Sequence, residues 1–330
     1  MSALGHGALY GALICTVLLT TIAVGIWFER KFAGRMQSRL GPTMVGPVGL
    51  LQPIADFLKL LQKEDIRPTA SDWPLFNLAP IIACTCALAV AAVVPYSPDL
   101  IAADLDVGVL WILALGGVTS IAIFTAGWAS NNKFALLGGM RSVAQAISYE
   151  VPLVLAAMVP CILAGSMSLG DIVRWQAAHH MFLLWPIIPG LPAFVLFFLS
   201  MLAESNRIPF DIPEAESELV AGVTTEYTGM KFALFYLGEY VHTLVGSAVA
   251  AALFLGGWDG PFAPGLHWMV AKTLLLYVVV YWVRWSLVRL RSDQLMELCW
   301  KWLTPIGVAL VLLAAVWVQF APAASGHPGP

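Results

Sequence analysis

Apolar runs of about twenty residues, the length that crosses a roughly 30 Å hydrocarbon core, recur eight times: near 7–27, 77–96, 107–128, 142–165, 182–203, 231–257, 268–289 and 302–320. They predict an all-α integral membrane protein with eight transmembrane helices, organised as one polytopic membrane domain over 1–330. After the first run the pattern changes. Leu50, Leu51, Ile54, Phe57, Leu58 and Leu61 share one helical face, and Gln52, Asp56, Lys59 and Lys63 the other. This stretch, near 47–63, is too short and too charged to span, and reads as an amphipathic helix lying in the membrane interface. A helix packed on protein with its polar face in water is the alternative. Polar residues concentrate between the fifth and sixth runs, in an acidic loop over 204–230. The first run has only His6 before it and lacks the charged start of a cleavable signal, so it reads as a retained span.

Composition agrees with the pattern. The chain is 59% hydrophobic and 11% charged, with a mean hydropathy of +0.82, about half the charge of a soluble domain. The net charge of -3 and pI near 6 leave no basic surface for nucleic acid. Of the 17 Lys and Arg residues, all but Arg174 and Lys272 fall in or beside the loops after spans 1, 3, 5 and 7. The positive-inside rule makes those loops cytoplasmic and places both termini outside. Trp111, Trp128, Trp185, Trp258, Trp268 and Trp302 mark span ends as interfacial anchors.

The five cysteines form no C-x-x-C pair, and Cys84 and Cys86 cannot share a helical face, so a zinc or iron–sulfur site is not expected. His179 and His180 read as a solvated pair. No dinucleotide fingerprint, phosphate loop or nucleophile elbow occurs. The expectation is a chain with no metal or redox cofactor of its own.

Charge inside the bilayer costs about 2.5–3.5 kcal/mol per group on insertion scales. Glu150 and Glu239 fall within spans, each about 12 Å from the span's cytoplasmic start at 1.5 Å per residue. Glu204 ends span 5 on the same side, and His242 lies one turn beyond Glu239. A desolvated carboxylate among like charges becomes an exchangeable proton site. Glu150, Glu204, Glu239 and His242 are therefore the candidate proton-coupling residues, with Glu204 and Glu239 read as lacking fixed partners. A permanently neutral acid, or one paired with Arg141 or Arg207, is the structural alternative. In the loop, Asp211 and Glu214 have the spacing of a helix capping box with Pro213 in the first turn. Capping leaves Glu216, Glu218 and Glu226 unexplained. Arg35 and Arg39, at i and i+4, serve topology, or contact anionic lipid or a carboxylate.

Longer motifs carry a family resemblance. Glu29-Arg-Lys, Gly34-Arg-Met-Gln-Ser-Arg-Leu-Gly-Pro, Leu50-Leu-Gln-Pro-Ile-Ala-Asp-Phe-Leu-Lys-Leu, Gly127-Trp-Ala-Ser-Asn-Asn-Lys-Phe-Ala-Leu-Leu-Gly and Ile147-Ser-Tyr-Glu-Val occur in order. Ala203-Glu-Ser-Asn-Arg-Ile-Pro-Phe-Asp, Glu216-Ser-Glu-Leu-Val-Ala-Gly, Thr225-Glu-Tyr-Thr-Gly-Met-Lys-Phe-Ala and Asp293-Gln-Leu-Met follow. Together they resemble the H-type membrane subunits of proton-pumping NADH-quinone oxidoreductase, respiratory complex I. The resemblance implies a non-redox membrane component, inactive in isolation, that walls the ubiquinone chamber at the junction with the peripheral arm. Ubiquinone would be the substrate, with iron–sulfur clusters and FMN in partner subunits. Other membrane-arm subunits, the peripheral arm and membrane lipid would be its partners. By motif position, Arg35, Arg39 and Asp56 match the quinone entrance. Glu204, Asp211, Glu214, Glu216, Glu218 and Glu226 match the family's acidic loop, with Arg207 placed beside them at the quinone chamber, and Glu150 and Glu239 match the intramembrane glutamates. Thr43 and Met44 depart from the Asn and basic residue usual in the family after Gly-Pro, which puts an electrostatic role of that turn in doubt.

Two other readings stand beside this one. The corresponding component of a membrane-bound hydrogenase complex would pump without quinone, and the Glu216 to Tyr227 stretch is closer to the quinone-linked branch. A stand-alone secondary transporter would show repeated halves, and no convincing repeat is present. The Ala- and Trp-rich composition favours a bacterial inner membrane over an organelle's inner membrane.

Overall fold

The structure is a computed structural model that describes residues 3–98, 100–179, 187–213 and 216–320. Among these the backbone is helical, with only an isolated bridge between Ser97 and Leu100 outside helices and turns. Twelve α-helices follow one another in the described residues: α1 (Ala3–Met36), α2 (Gln52–Gln62), α3 (Trp73–Ala91), α4 (Gly108–Ala129), α5 (Lys133–Ala164), α6 (Leu169–Ala178), α7 (Ile187–Glu204), α8 (Glu216–Leu219), α9 (Gly229–Phe254), α10 (Leu266–Ser286), α11 (Ser292–Leu298) and α12 (Thr304–Phe320).

Seven segments among the described residues are long and apolar enough to cross a membrane: Gly11–Met36, Trp73–Ala91, Gly108–Ala129, Lys133–Ala164, Gly229–Phe254, Leu266–Ser286 and Ser292–Phe320. The fifth of the eight expected spans is met by the shorter α7. Residues 182–186 of that expectation, with the anchor Trp185, and His180 lie outside the described residues. The chain is thus a multi-pass all-α membrane protein. Apolar side chains on the outer faces of α4, α10 and α12, such as Ile121, Leu275 and Leu312, remain exposed because the intended solvent there is lipid.

Two boundaries and one short helix differ from the apolar pattern for local reasons. The fourth span begins at Lys133 rather than near 142, since Asn132 caps α5 by accepting a hydrogen bond from the Phe134 N–H at 2.9 Å. The last span begins at Ser292, where α11 runs through a π-helical turn at Cys299–Leu303 into α12, a continuation hidden by Asp293, Glu297 and Lys301. The short α6, capped by Ser168, has a mixed composition that no apolar run announces.

The first loop holds α2 against α1 and α9. Its Leu50, Leu51, Ile54, Phe57, Leu58 and Leu61 are all exposed, while Asp56 and Gln52 turn toward the protein. Lys59 and Lys63 on the same side remain exposed, and a helix whose apolar face is left uncovered by the rest of the protein suits the lipid interface.

The middle of the bundle is formed by α3, α4, α5, α7 and α9. Small residues permit close approach: a side chain on Gly238 of α9 would touch the Cys84 backbone of α3, and one on Gly127 of α4 would strike the Ala135 carbonyl oxygen of α5 at 2.6 Å. The described part of α7 ends at Glu204 inside the bundle, against Gly116 of α4. The segment after it therefore runs between helices, and Ser205, Arg207, Phe210 and Ile212 are buried.

Candidate functional site

That buried segment needs partners for its backbone, and one side chain supplies two of them. Gln145 of α5, fully buried, donates from Nε2 to the Ala203 carbonyl at 2.6 Å and the Phe210 carbonyl at 2.7 Å. It closes the C-terminal end of α7, where helix carbonyls otherwise lack donors. Gln145→Leu keeps the volume but strands both carbonyls, at about 1–3 kcal/mol for each buried group. The expected result is a lower thermal unfolding midpoint and less assembled protein in membranes, measured by fluorescence-detected thermal scans and blotting.

Past Gln145 the segment presents Arg207, 2% exposed, to α1, α9 and α10. Its Nε lies 2.7 Å from Glu239 Oε1, its Nη1 lies 3.7 Å from Glu29 Oε1, and its guanidinium carbon sits 4.2 Å above the Tyr240 ring centre. Glu29 of α1 also pairs with Arg284 of α10 and accepts from the Tyr240 hydroxyl at 2.8 Å. Two guanidinium groups thus share two carboxylates where burial makes any unpaired charge costly. Asp211 acts electrostatically on Glu239 as well and is itself engaged.

A second pair lies across a cavity of about 90 Å³, large enough for several waters. Its lining includes Glu204, Glu239, His242, Asn206, Ser142 and Thr119. Glu204 Oε2 faces His242 Nε2 at 3.7 Å. Glu204 Oε1 lies against Gly116 of α4, and Glu150 Oε1 lies beside Gly117, 3.3 Å from where a Cβ would stand. Gly116 stands about 20 Å along α4 from the helix end at Ala129. Glu204 is therefore deep in the bundle rather than at its basic end, although α7 ends where the apolar run does. Glu150 stands about 26 Å from the start of α5, since that helix begins at Lys133.

The structure thus brings Glu150, Glu204, Glu239, His242, Arg207 and Asp211 into one neighbourhood. It overturns the expectation that Glu239 lacks a fixed partner: Arg207, just past the end of α7, is folded back onto it. Glu218 pairs with Arg141 at 2.5 Å, and the guanidinium holds its carboxyl below the usual carboxylate range. Glu226 accepts from Asn132 Nδ2 at 2.6 Å, which ties the loop to the start of α5. Glu216 begins α8, and Glu214 lies outside the described residues. Asp56 pairs with Arg30 at 2.5 Å rather than with Arg35 or Arg39, which are exposed at the end of α1 and just beyond it. Sequence reasoning missed Glu29, Arg284, Tyr240 and Gln145. Glu29 and Arg284 sit near span ends among basic residues, where they look interfacial.

A family model described as NADH dehydrogenase matches residues 10–315. The chain is 47% identical over 313 residues to the H-type subunit of NADH-quinone oxidoreductase from Brevibacillus brevis, covering 93% of this chain and 92% of the relative. To its counterpart from Burkholderia ambifaria (strain MC40-6) it is 46% identical over 317 residues, covering 93% and 89%. To that from Dehalococcoides mccartyi (strain CBDB1) it is 45% identical over 317 residues, covering 96% and 88%. With identity of this order over nearly the whole length of both partners, the chain belongs to the NADH dehydrogenase family, among the H-type membrane subunits of NADH-quinone oxidoreductase.

Proposed function

We propose that this membrane subunit of the NADH-quinone oxidoreductase complex walls the ubiquinone chamber where the peripheral arm docks, and couples quinone reduction to proton translocation. The observation that carries the reading is the buried charge group in which Arg207, on the loop after α7, is shared by Glu29 and Glu239. A loop tied to intramembrane carboxylates by one guanidinium converts a change in the chamber into a change of charge. When the loop shifts and Arg207 withdraws, Glu239 is left desolvated without its counter-ion, and a proton is the available compensation. Glu204 and His242 line the same cavity, Glu150 lies beside Gly117 next to Glu204, and they pass that proton on. Glu239 is thus a charge set by the loop, whereas Glu204 and His242 are carriers.

The chain is one polytopic domain over 1–330 in this reading, and the basic loops face the cytoplasm of a bacterium, so that both termini are periplasmic. The site residues Arg35 and Arg39 face the cytoplasmic surface beside α2, where quinone enters from lipid. Redox groups, iron–sulfur clusters and FMN, belong to partner subunits, and the isolated chain has no redox activity. Purification through an affinity tag on this chain in mild detergent is expected to recover an iron- and flavin-containing peripheral arm with NADH dehydrogenase activity. Recovery of the chain alone, from membranes that retain NADH-quinone reductase activity, counts against the assignment.

A further inference from the structure

We propose that Gly116 of α4 is a positioning residue for Glu204: by carrying no side chain it leaves the slot that the Glu204 carboxylate occupies, and so fixes that carboxylate opposite His242. The inference rests on the proton-carrying role assigned to Glu204 above. Two adjacent glycines within a helix sacrifice propensity, about 0.5–1 kcal/mol each relative to alanine in water, so the space they leave needs a user. Several other glycines of the bundle face backbone or apolar side chains, as Gly246 faces Met201. Gly127 and Gly238 face neighbouring backbone, the Ala135 carbonyl and Cys84 Cα, and serve close helix packing. Gly116 differs, because the atoms nearest its missing Cβ are Oε1 and Cδ of Glu204, so a methyl group there would run into the carboxylate.

The carboxylate is bracketed. Oε1 occupies the slot, and Oε2 faces His242 Nε2 at 3.7 Å. Glu204 and His242 also line a second cavity of about 30 Å³, bounded by Leu113, Leu153 and Phe197, so they stand between that void and the larger one. Free space on two sides means that a methyl group at position 116 displaces the end of the Glu204 side chain rather than α4 itself. The consequence is a misplaced proton carrier in a protein that still folds. Gly117 is less constrained, since its Cβ would stand 3.3 Å from Glu150 Oε1, a spacing that a slight shift relieves.

The test is a cycle in the assembled complex: parent, Gly116→Ala, Glu204→Asp and the double variant, each read by the pH profile of quinone reduction. Glu204→Gln is added to assign the Glu204 carboxyl band in infrared spectra. Gly116→Ala is expected to lower the rate about tenfold, the scale of effect that small misplacements of reacting groups produce, and to shift both the pH profile and the assigned band. With the shorter Asp at 204 the slot is vacated, and adding Gly116→Ala changes the rate less than about twofold, the non-additivity expected of touching residues. A parent-like pH profile with an unmoved band in Gly116→Ala overturns the inference. So does an equal loss in both backgrounds, which makes Gly116 a packing glycine. Parent-like activity of Glu204→Gln instead overturns the proton-carrying role, and the band position in Gly116→Ala still decides the positioning claim.

Discussion

Arg207→Met is expected to be the most damaging single substitution in the buried charge group. It fills the same space with apolar surface but leaves Glu239 without its 2.7 Å partner and leaves Glu29 to Arg284 and Tyr240. Removing one member of a buried ion pair costs about 3–5 kcal/mol, a large share of a protein's net stability. The expected outcome is little assembled complex, and quinone reduction near background in what remains. Arg207→Lys discriminates between charge and geometry. One ammonium cannot reach both carboxylates as the Nε and Nη1 edges of the guanidinium do, and stacking over Tyr240 is lost. Assembly is expected to return with Arg207→Lys while the rate stays well below the parent. A fully active Arg207→Lys variant contradicts the shared-fork geometry. Both outcomes are read by native gel electrophoresis and NADH-quinone reductase assays in membranes.

Glu239→Gln and Glu204→Gln are expected to differ in stability while agreeing in function. Glu239→Gln removes a carboxylate from a guanidinium that retains Glu29, so the balanced group of two guanidiniums and two carboxylates acquires a net positive charge, and assembly is mildly impaired. Glu204→Gln exchanges an acid for an amide beside a His242 ring 3.7 Å away and a water-sized cavity, and assembly is unaffected. In both variants quinone reduction is expected to fall at least about tenfold, toward the roughly 10²–10⁴ range that a positioned proton donor contributes. Parallel assays of assembled enzyme content and of rate separate the two effects.

The spans were legible because lipid removes the alternation of surface and core: a run of about twenty apolar residues that crosses it has to satisfy its own backbone as a helix. The placing of His242 one turn beyond Glu239 followed from helical spacing alone. The amphipathic α2 was legible for the same reason, and its uncovered leucines and Phe57 carry the lipid-facing pattern through into the structure. The pairing of Arg207 with Glu239 was not legible. The end of α7 at Glu204 matches the end of the apolar run, but its depth inside the bundle, where Gln145 of another helix receives it, cannot be read from that run. Glu29 and Arg284 were hidden by position, since an ionisable residue near a span end reads as interfacial until tertiary packing buries it. The role of Gly116 was invisible for a related reason. A glycine's function lies in the atom that fills the space beside it, and here that atom comes from Glu204, on a helix far along the chain.

Whether these carboxylates join quinone chemistry to the proton path is decided by measuring quinone reduction and proton pumping simultaneously, in vesicles reconstituted with the complex carrying Glu204→Gln or Glu239→Gln. Both rates are expected to fall together in each variant, since the same two carboxylates serve the chamber and the path. Full rates of quinone reduction and of pumping in both variants would contradict that coupling.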